Sequence, residues 1–311
     1  MTQDLVLVTG AAGGQQGKTG RYVTELLLAR GVPVRAFVRR IDERAERLRA
    51  LGAELAVGDF LDLASVERAV QGVSTVYFAY PVQPGLLDAT AIMADAARRA
   101  GVKRLIDMVM LVSAPNAPTP RMRQNYLSEQ IFERADIGAS HVRATVFYEN
   151  VRAMVAPTLA ADGSILLPWG SEDTRVPLVS GEDVARVVAG VLTDPSLVPG
   201  SSIPVVGEVL ALREIIGTFH RVLQRDVRYV EISDELWHAG ALARGLNDHA
   251  VEHLSQLWTL LRTRPTQVKV TDAIETYGGR APKTFEQFVR EERATFAPAS
   301  AAAVASSAHG G

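Results

Sequence analysis

Between the ninth and seventeenth residues the chain reads Thr9-Gly10-Ala11-Ala12-Gly13-Gly14-Gln15-Gln16-Gly17. Glycines this dense free the backbone to turn sharply and to bring its amides against an anion. In this G-x-x-G-x-x-x-G spacing Gly10 suits the tight turn, and Gly13 and Gly14 open the backbone to a pyrophosphate. Gly17 lets the following helix start close by, while Thr9, Gln15 and Gln16 complete the set expected around a dinucleotide. The spacing is one residue longer than the common form, but its setting is the required one: the apolar run Leu5-Val6-Leu7-Val8 ends at the turn and helical spacing follows it.

Further groups extend the same chemistry. Val38-Arg39-Arg40 closes the second apolar run, where a site for NAD places a carboxylate on the ribose 2′-hydroxyl. Guanidinium groups suit a 2′-phosphate instead, so NADPH is the expected cofactor. Asp59 and Phe60 follow the third strand and are expected at the adenine, although Asp59 would equally cap the next helix. Tyr80 and Pro81 end the fourth strand, where the nicotinamide half belongs.

The residues that usually protonate a reduced carbonyl on such a scaffold are missing. The fifth strand runs Ile106-Asp107-Met108-Val109-Met110, apolar where a serine is expected, and Tyr126 is followed four residues later by Gln130 rather than lysine. Tyr126 is therefore a weak candidate for proton donation. Ser113 lies in a loop with Ala114-Pro115 and Pro118. Met110, Asn125, Tyr126, Trp169, Trp237 and His238 are the residues expected against the substrate, with Trp169 equally suited to packing. His249 and His253 share a helical spacing, but no third ligand accompanies them and no metal site is expected.

The elements that must hold these groups alternate. Strands are expected at 5–8, 33–38, 54–57, 75–79, 104–110 and 141–147, and helices at 19–30, 43–51, 65–70, 86–100 and 125–135. That rhythm builds a Rossmann-type α/β domain with a doubly wound parallel sheet over residues 1–150. Residues 151–296 read as a smaller α/β substrate lobe. Within it, 233–243 and 248–262 form two helices around Gly245-Leu246-Asn247, a candidate lid over 233–262. Residues 297–311, rich in Ala, Ser and Gly without periodicity, are expected to be disordered.

Thr9 to Gly17, Val38-Arg39-Arg40, Gly58-Asp59, Gly101-Val102-Lys103-Arg104 and Phe147-Tyr148-Glu149-Asn150 together resemble the NmrA-like atypical short-chain dehydrogenases, up to about Arg290. The resemblance implies NADP bound along the strand ends, with Tyr148 and Asn150 against it. It implies a quinone reductase or ketoreductase, or else a redox-sensing regulator that binds NADP(H) without turnover. Reductases of this kind that lack the usual triad, as in angucyclinone antibiotic pathways, make an aromatic polyketide ketone a fitting substrate.

Composition narrows the field. The 311 residues are 47% hydrophobic and 22% charged, with a formal net charge of −2 and no cysteine. That balance gives no basic field for nucleic acid, and it excludes disulfides, thiolate metal sites and cysteine nucleophiles. No long apolar run suggests a membrane segment, so a cytoplasmic enzyme acting on a small molecule is expected.

Overall fold

The computed structural model describes residues 4–13, 18–264 and 266–298. Its centre is a seven-stranded parallel sheet built from β1 (Val6–Val8), β2 (Val34–Val38), β3 (Glu54–Val57), β4 (Thr75–Phe78), β5 (Arg104–Met110), β6 (Ala139–Ala144) and a late strand, β10 (Ser202–Val205), in the order β10-β6-β5-β4-β1-β2-β3. β1 is buried at every position, as is β4, because helices cover both faces. The strand order reverses between β1 and β4, and ligands on such sheets bind at the carboxyl ends beside that reversal.

The covering helices are α1 (Thr19–Ala29), α2 (Glu43–Ala50), α3 (Leu63–Val70), α4 (Leu86–Ala100) and α5 (Pro120–Arg134), joined later by α7 (Gly181–Thr193). α5 begins five residues before its expected start. Thr119 Oγ1 caps it by accepting from the Met122 amide, and Pro120 stands at the first position, where a missing N–H costs nothing.

The expected final strand of the first domain divides in two. β6 stays in the large sheet, while β7 (Val146–Phe147) joins a three-stranded sheet with β9 (Arg175–Val179) and β11 (Glu208–Ala211). A boundary at residue 150 falls inside α6 (Tyr148–Asp162), and the chain afterwards returns to the first sheet through α7 and β10. The two lobes are thus interleaved in sequence, and a single cut separates neither.

The second lobe adds the parallel pair β8 (Ser164–Leu167) and β12 (Arg228–Glu231), with α8 (Leu212–Leu223), α9 (Asp234–Ala243), α10 (Asp248–Thr263) and α12 (Phe285–Glu291); the short α11 (Ala273–Gly278) packs on α7. Tyr148, Trp169, Phe219, Trp237, Trp258, Phe285 and Phe296 fill its core. The α9–α10 hairpin is pinned at its base, where Arg262 grips both carboxylate oxygens of Asp234 at 2.9 and 2.7 Å. Among the described residues no helix is long and apolar enough to cross a membrane. The expected disordered tail falls, from residue 299 onward, outside the described residues.

Candidate functional site

A cleft of about 1180 Å³ runs along the carboxyl ends of the large sheet, from the glycine turn to the underside of the α9–α10 hairpin. At the turn, Gly10 and Gly13 have φ of 62° and 69°, and the Gly13 amide donates to the Gly10 carbonyl at 3.0 Å. Both line the cleft. Gly14, Gln15, Gln16 and Gly17 lie outside the described residues. Thr9 does not line the cleft: its buried hydroxyl accepts the Ala79 amide at 2.8 Å and ties the end of β1 to that of β4.

The close approach of helix to strand falls at Gly20. A Cβ there would lie 2.5 Å from the Thr9 carbonyl oxygen, so no other residue fits without moving backbone. Among the described residues α1 has no side-chain cap, and its first turn carries no acidic residue, so the positive end of its dipole suits an anion. Lys18 stands at that end and lines the cleft. Burial, then Arg152 and Arg21, lower its pKa. A cation held against the positive end of a helix is stabilised when an anion lies between them.

Arg39 and Arg40 both line the cleft beyond β2, with side chains 79% and 78% exposed. Arg39 Nη2 donates to Asp59 at 3.2 Å. A third guanidinium joins them: Arg44 reaches the Gly13 carbonyl at 2.9 Å while bonding Asp42 at 2.7 Å, and that bond holds the Asp42 carboxyl down to about 2. Asp59 also accepts the Leu61 amide, whereas the cap of α3 is Asp62, which accepts from Ala64. Phe60 meets Phe37, Phe78 and Tyr80 edge-on at 5.2, 5.7 and 5.3 Å, forming an aromatic wall.

Further along, Tyr80, Pro81, Met110, Asn125 and Asn150 line the middle of the cleft. Asn125 Oδ1 accepts the Met110 amide at 3.1 Å, which fixes the amide plane and leaves Nδ2 as a donor without a hydrogen bond among the described residues. Thr145 lies between β6 and β7 on the same wall, its buried hydroxyl without a partner. At the far end stand Arg121, Trp237, Asn247, His253 and Trp258. Asn247, at the hairpin tip, donates to the Val82 carbonyl at 3.3 Å, so the tip touches the loop after β4.

Besides Thr9, four expected residues, Tyr126, Trp169, His238 and Tyr148, lie elsewhere. Tyr126 is half-buried on α5 and outside the lining. Trp169 is fully buried and packs on Trp258 with ring centroids 5.3 Å apart. His238 is half-buried beyond the lining. Tyr148 is buried in the second lobe, its hydroxyl donating to Glu208 at 2.6 Å, and burial together with that carboxylate raises its pKa. Ser113 donates to the Met110 carbonyl at 2.6 Å from its loop.

Lys18, Gly20, Arg44, Arg121 and Thr145 line the cleft without having been expected there, and His253, weighed from the sequence only as a metal ligand, lines it too. A lysine directly after the glycine turn was the available signal for the first of these. The cradle of backbone turn, bare helix end and cations fits a pyrophosphate and a 2′-phosphate at the separate places a dinucleotide requires.

Comparison with known proteins agrees with this architecture. The model of the NmrA-like family matches residues 2–288. The NAD(P)H azoreductase of Xenophilus azovorans is 26% identical over 297 residues, covering 95% of this chain and 100% of that protein. The (4-alkanoyl-5-oxo-2,5-dihydrofuran-3-yl)methyl phosphate reductase of Streptomyces griseus is 30% identical over 303 residues, covering 94% and 100%. Among solved structures, the NADPH-dependent quinone oxidoreductase of Escherichia coli complexed with NADPH aligns with a TM-score of 0.78 at 22% identity, over 92% of this chain and 99% of that one. The negative transcriptional regulator NmrA in complex with NADP aligns at 0.76 and 20%, over 94% and 95%. Those two likenesses are of fold.

Proposed function

The chain belongs to the NmrA-like family, and from that premise we propose that it is an NADPH-dependent reductase that transfers hydride to a ketone or quinone, with planar aromatic compounds of the polyketide type as favoured substrates. The observation that carries this reading is the continuity of the cleft, which joins the phosphate cradle to an aromatic chamber under the hairpin without interruption.

Lys18, the end of α1, Arg39 and Arg40 would hold NADPH, which when bound would supply the hydride. The chain itself contributes orientation and exclusion of water. The flat, apolar walls of Met110, Trp237 and Trp258 suit an extended ring system. Asn125 Nδ2, fixed by the Met110 amide, provides a preorganised donor for a carbonyl oxygen as it gains charge. Among the described residues no tyrosine hydrogen-bonds a lysine at the cleft, so the proton would reach that oxygen from water or from a neighbouring hydroxyl on the substrate. Azo compounds and furanone phosphates, the substrates named for the two relatives, broaden the panel worth testing.

The test is NADPH oxidation at about 340 nm, the nicotinamide band, with naphthoquinones, peri-hydroxylated aromatic ketones and azo dyes. Turnover of a quinone or ketone that Asn125→Ala slows by about a hundredfold is the expected result. Tight NADPH binding with no oxidation across the panel would overturn the enzyme reading and favour a regulator like NmrA.

A further inference from the structure

Arg121 occupies the second position of α5 and is 3% exposed. Its Nη2 donates to the Tyr80 carbonyl at 3.0 Å and its Nη1 to the Gln83 carbonyl at 3.3 Å, which leaves Nε without a partner. Those carbonyls orient the guanidinium but carry no charge to neutralise it. Among the described residues no carboxylate forms a salt bridge with it; the Asp107 charge favours its charged form without touching it, and the Tyr80 ring centroid lies 5.8 Å from the guanidinium. Burial lowers its pKa to about 10, which still leaves it a cation near neutral pH. A buried cation without a carboxylate in direct contact gains from a bound anion that makes that contact.

His253 faces the same end of the cleft from α10 and is 2% exposed. Burial first, and then Arg121, lower its pKa to about 3, so the ring is neutral. Its tautomer follows from its neighbour. The Thr119 hydroxyl already accepts the Met122 amide at 3.1 Å, and its own proton has one acceptor nearby, His253 Nδ1 at 3.2 Å. Assigning the Thr119 proton to Nδ1, the arrangement that gives that buried hydroxyl an acceptor, puts the hydrogen on Nε2, a buried atom without a hydrogen-bond partner among the described residues. A neutral donor beside a cation strengthens anion binding without adding repulsion. The end of α5, capped by the same Thr119, contributes its positive dipole at the same point.

We propose that Arg121 and His253 Nε2–H form an anion-recognising subsite beneath the hairpin, which selects substrates bearing a carboxylate, sulfonate or phosphate group away from the bond that is reduced. The word substrate rests on the reductase reading; the anion preference does not.

Calorimetric titration of the full chain, saturated with NADP⁺, with naphthalene-2-carboxylate and with its neutral counterpart naphthalene-2-carboxamide tests it. The carboxylate is expected to bind at least about tenfold tighter, as a charge-assisted contact implies. Arg121→Gln should bring the pair within about threefold, and Arg121→Lys should keep most of the gap. A wild-type gap below about twofold, or a gap that survives Arg121→Gln, overturns the subsite. If Arg121→Gln does not fold, His253→Phe, expected to reduce the carboxylate's advantage by at least about threefold, decides in its place, and an unchanged gap there overturns it. Failure of the reductase reading shows separately, as absent NADPH oxidation with neutral quinones while the anion preference persists.

Discussion

At the glycine-turn end of the cleft Arg39 and Arg40 stand in solvent, nearly four-fifths exposed, each beside a surface carboxylate. At the hairpin end Arg121 is 3% exposed, and both it and His253 hold polar atoms without a hydrogen-bond partner among the described residues. The first arrangement suits a large, multiply charged molecule that must come and go, because hydrated cations attract it without requiring a fixed counter-charge when it leaves. The second gives discrimination, because a desolvated group penalises whatever fails to satisfy it.

Removing packing from the hairpin end should have the largest effect. Trp258 is 1% exposed and packs on both Trp169 and Trp237, so Trp258→Ala is expected to lower stability by about 4 kcal/mol. Thermal melts read that loss, and a change under about 1 kcal/mol would show that the Trp169 and Trp237 contacts contribute little to stability. Gly20→Ala, at the opposite end, should cost about 3 kcal/mol and abolish cofactor binding with it, since the Thr9 carbonyl must shift. A variant that melts normally and binds NADPH would show that the turn gives way freely.

Acid should also separate the two ends. His253 titrates at about 3 in the fold against 6.5 when unfolded, so between these values the unfolded chain holds a proton that the native chain does not. Stability is therefore full above pH 6.5 and falls as pH drops, by up to about 1.4 kcal/mol per pH unit from this group. Denaturation of His253→Gln at pH 7 and pH 5 should show a shallower loss than wild type, and equal slopes would place the imidazole in contact with water. Arg39→Ala, by contrast, should leave stability alone and weaken NADPH about tenfold while sparing NADH, read by fluorescence titration. The smallest effect is expected from Tyr126→Phe, outside the lining, with turnover within about twofold and stability within about 0.5 kcal/mol. A thousandfold loss would make Tyr126 the proton donor after all.

Much of the first lobe was legible because burial there is written locally. The helix at 86–100 and the strands at 54–57 and 104–110 match their expected limits, each marked by apolar spacing between glycine or charged breaks. The split of residues 139–147 between two sheets was not legible, since β7 is only two residues long and pairs with a strand that begins at Arg175. The glycine turn and Arg39-Arg40 were readable from type and position. Arg121 was not, because most arginines are solvated and only the packed fold shows one stripped of water. Thr119-Pro120 was nevertheless a cap followed by a first-turn proline, and it would have moved the start of α5 to include Arg121.

The return of β10 to the large sheet also closes an open flank. Strand margins left bare recruit other chains, and β6 without a neighbour would be such a margin. β10 covers it in register from Ser202 opposite His141 to Val205 opposite Ala144. Its own outer side is blunted in turn: Pro204 has no amide to offer, and Thr271 takes the Pro204 carbonyl at 2.9 Å. A fragment ending at residue 150 would keep the glycine turn and the arginines yet expose β6 along its length, and it would self-associate before it could bind anything.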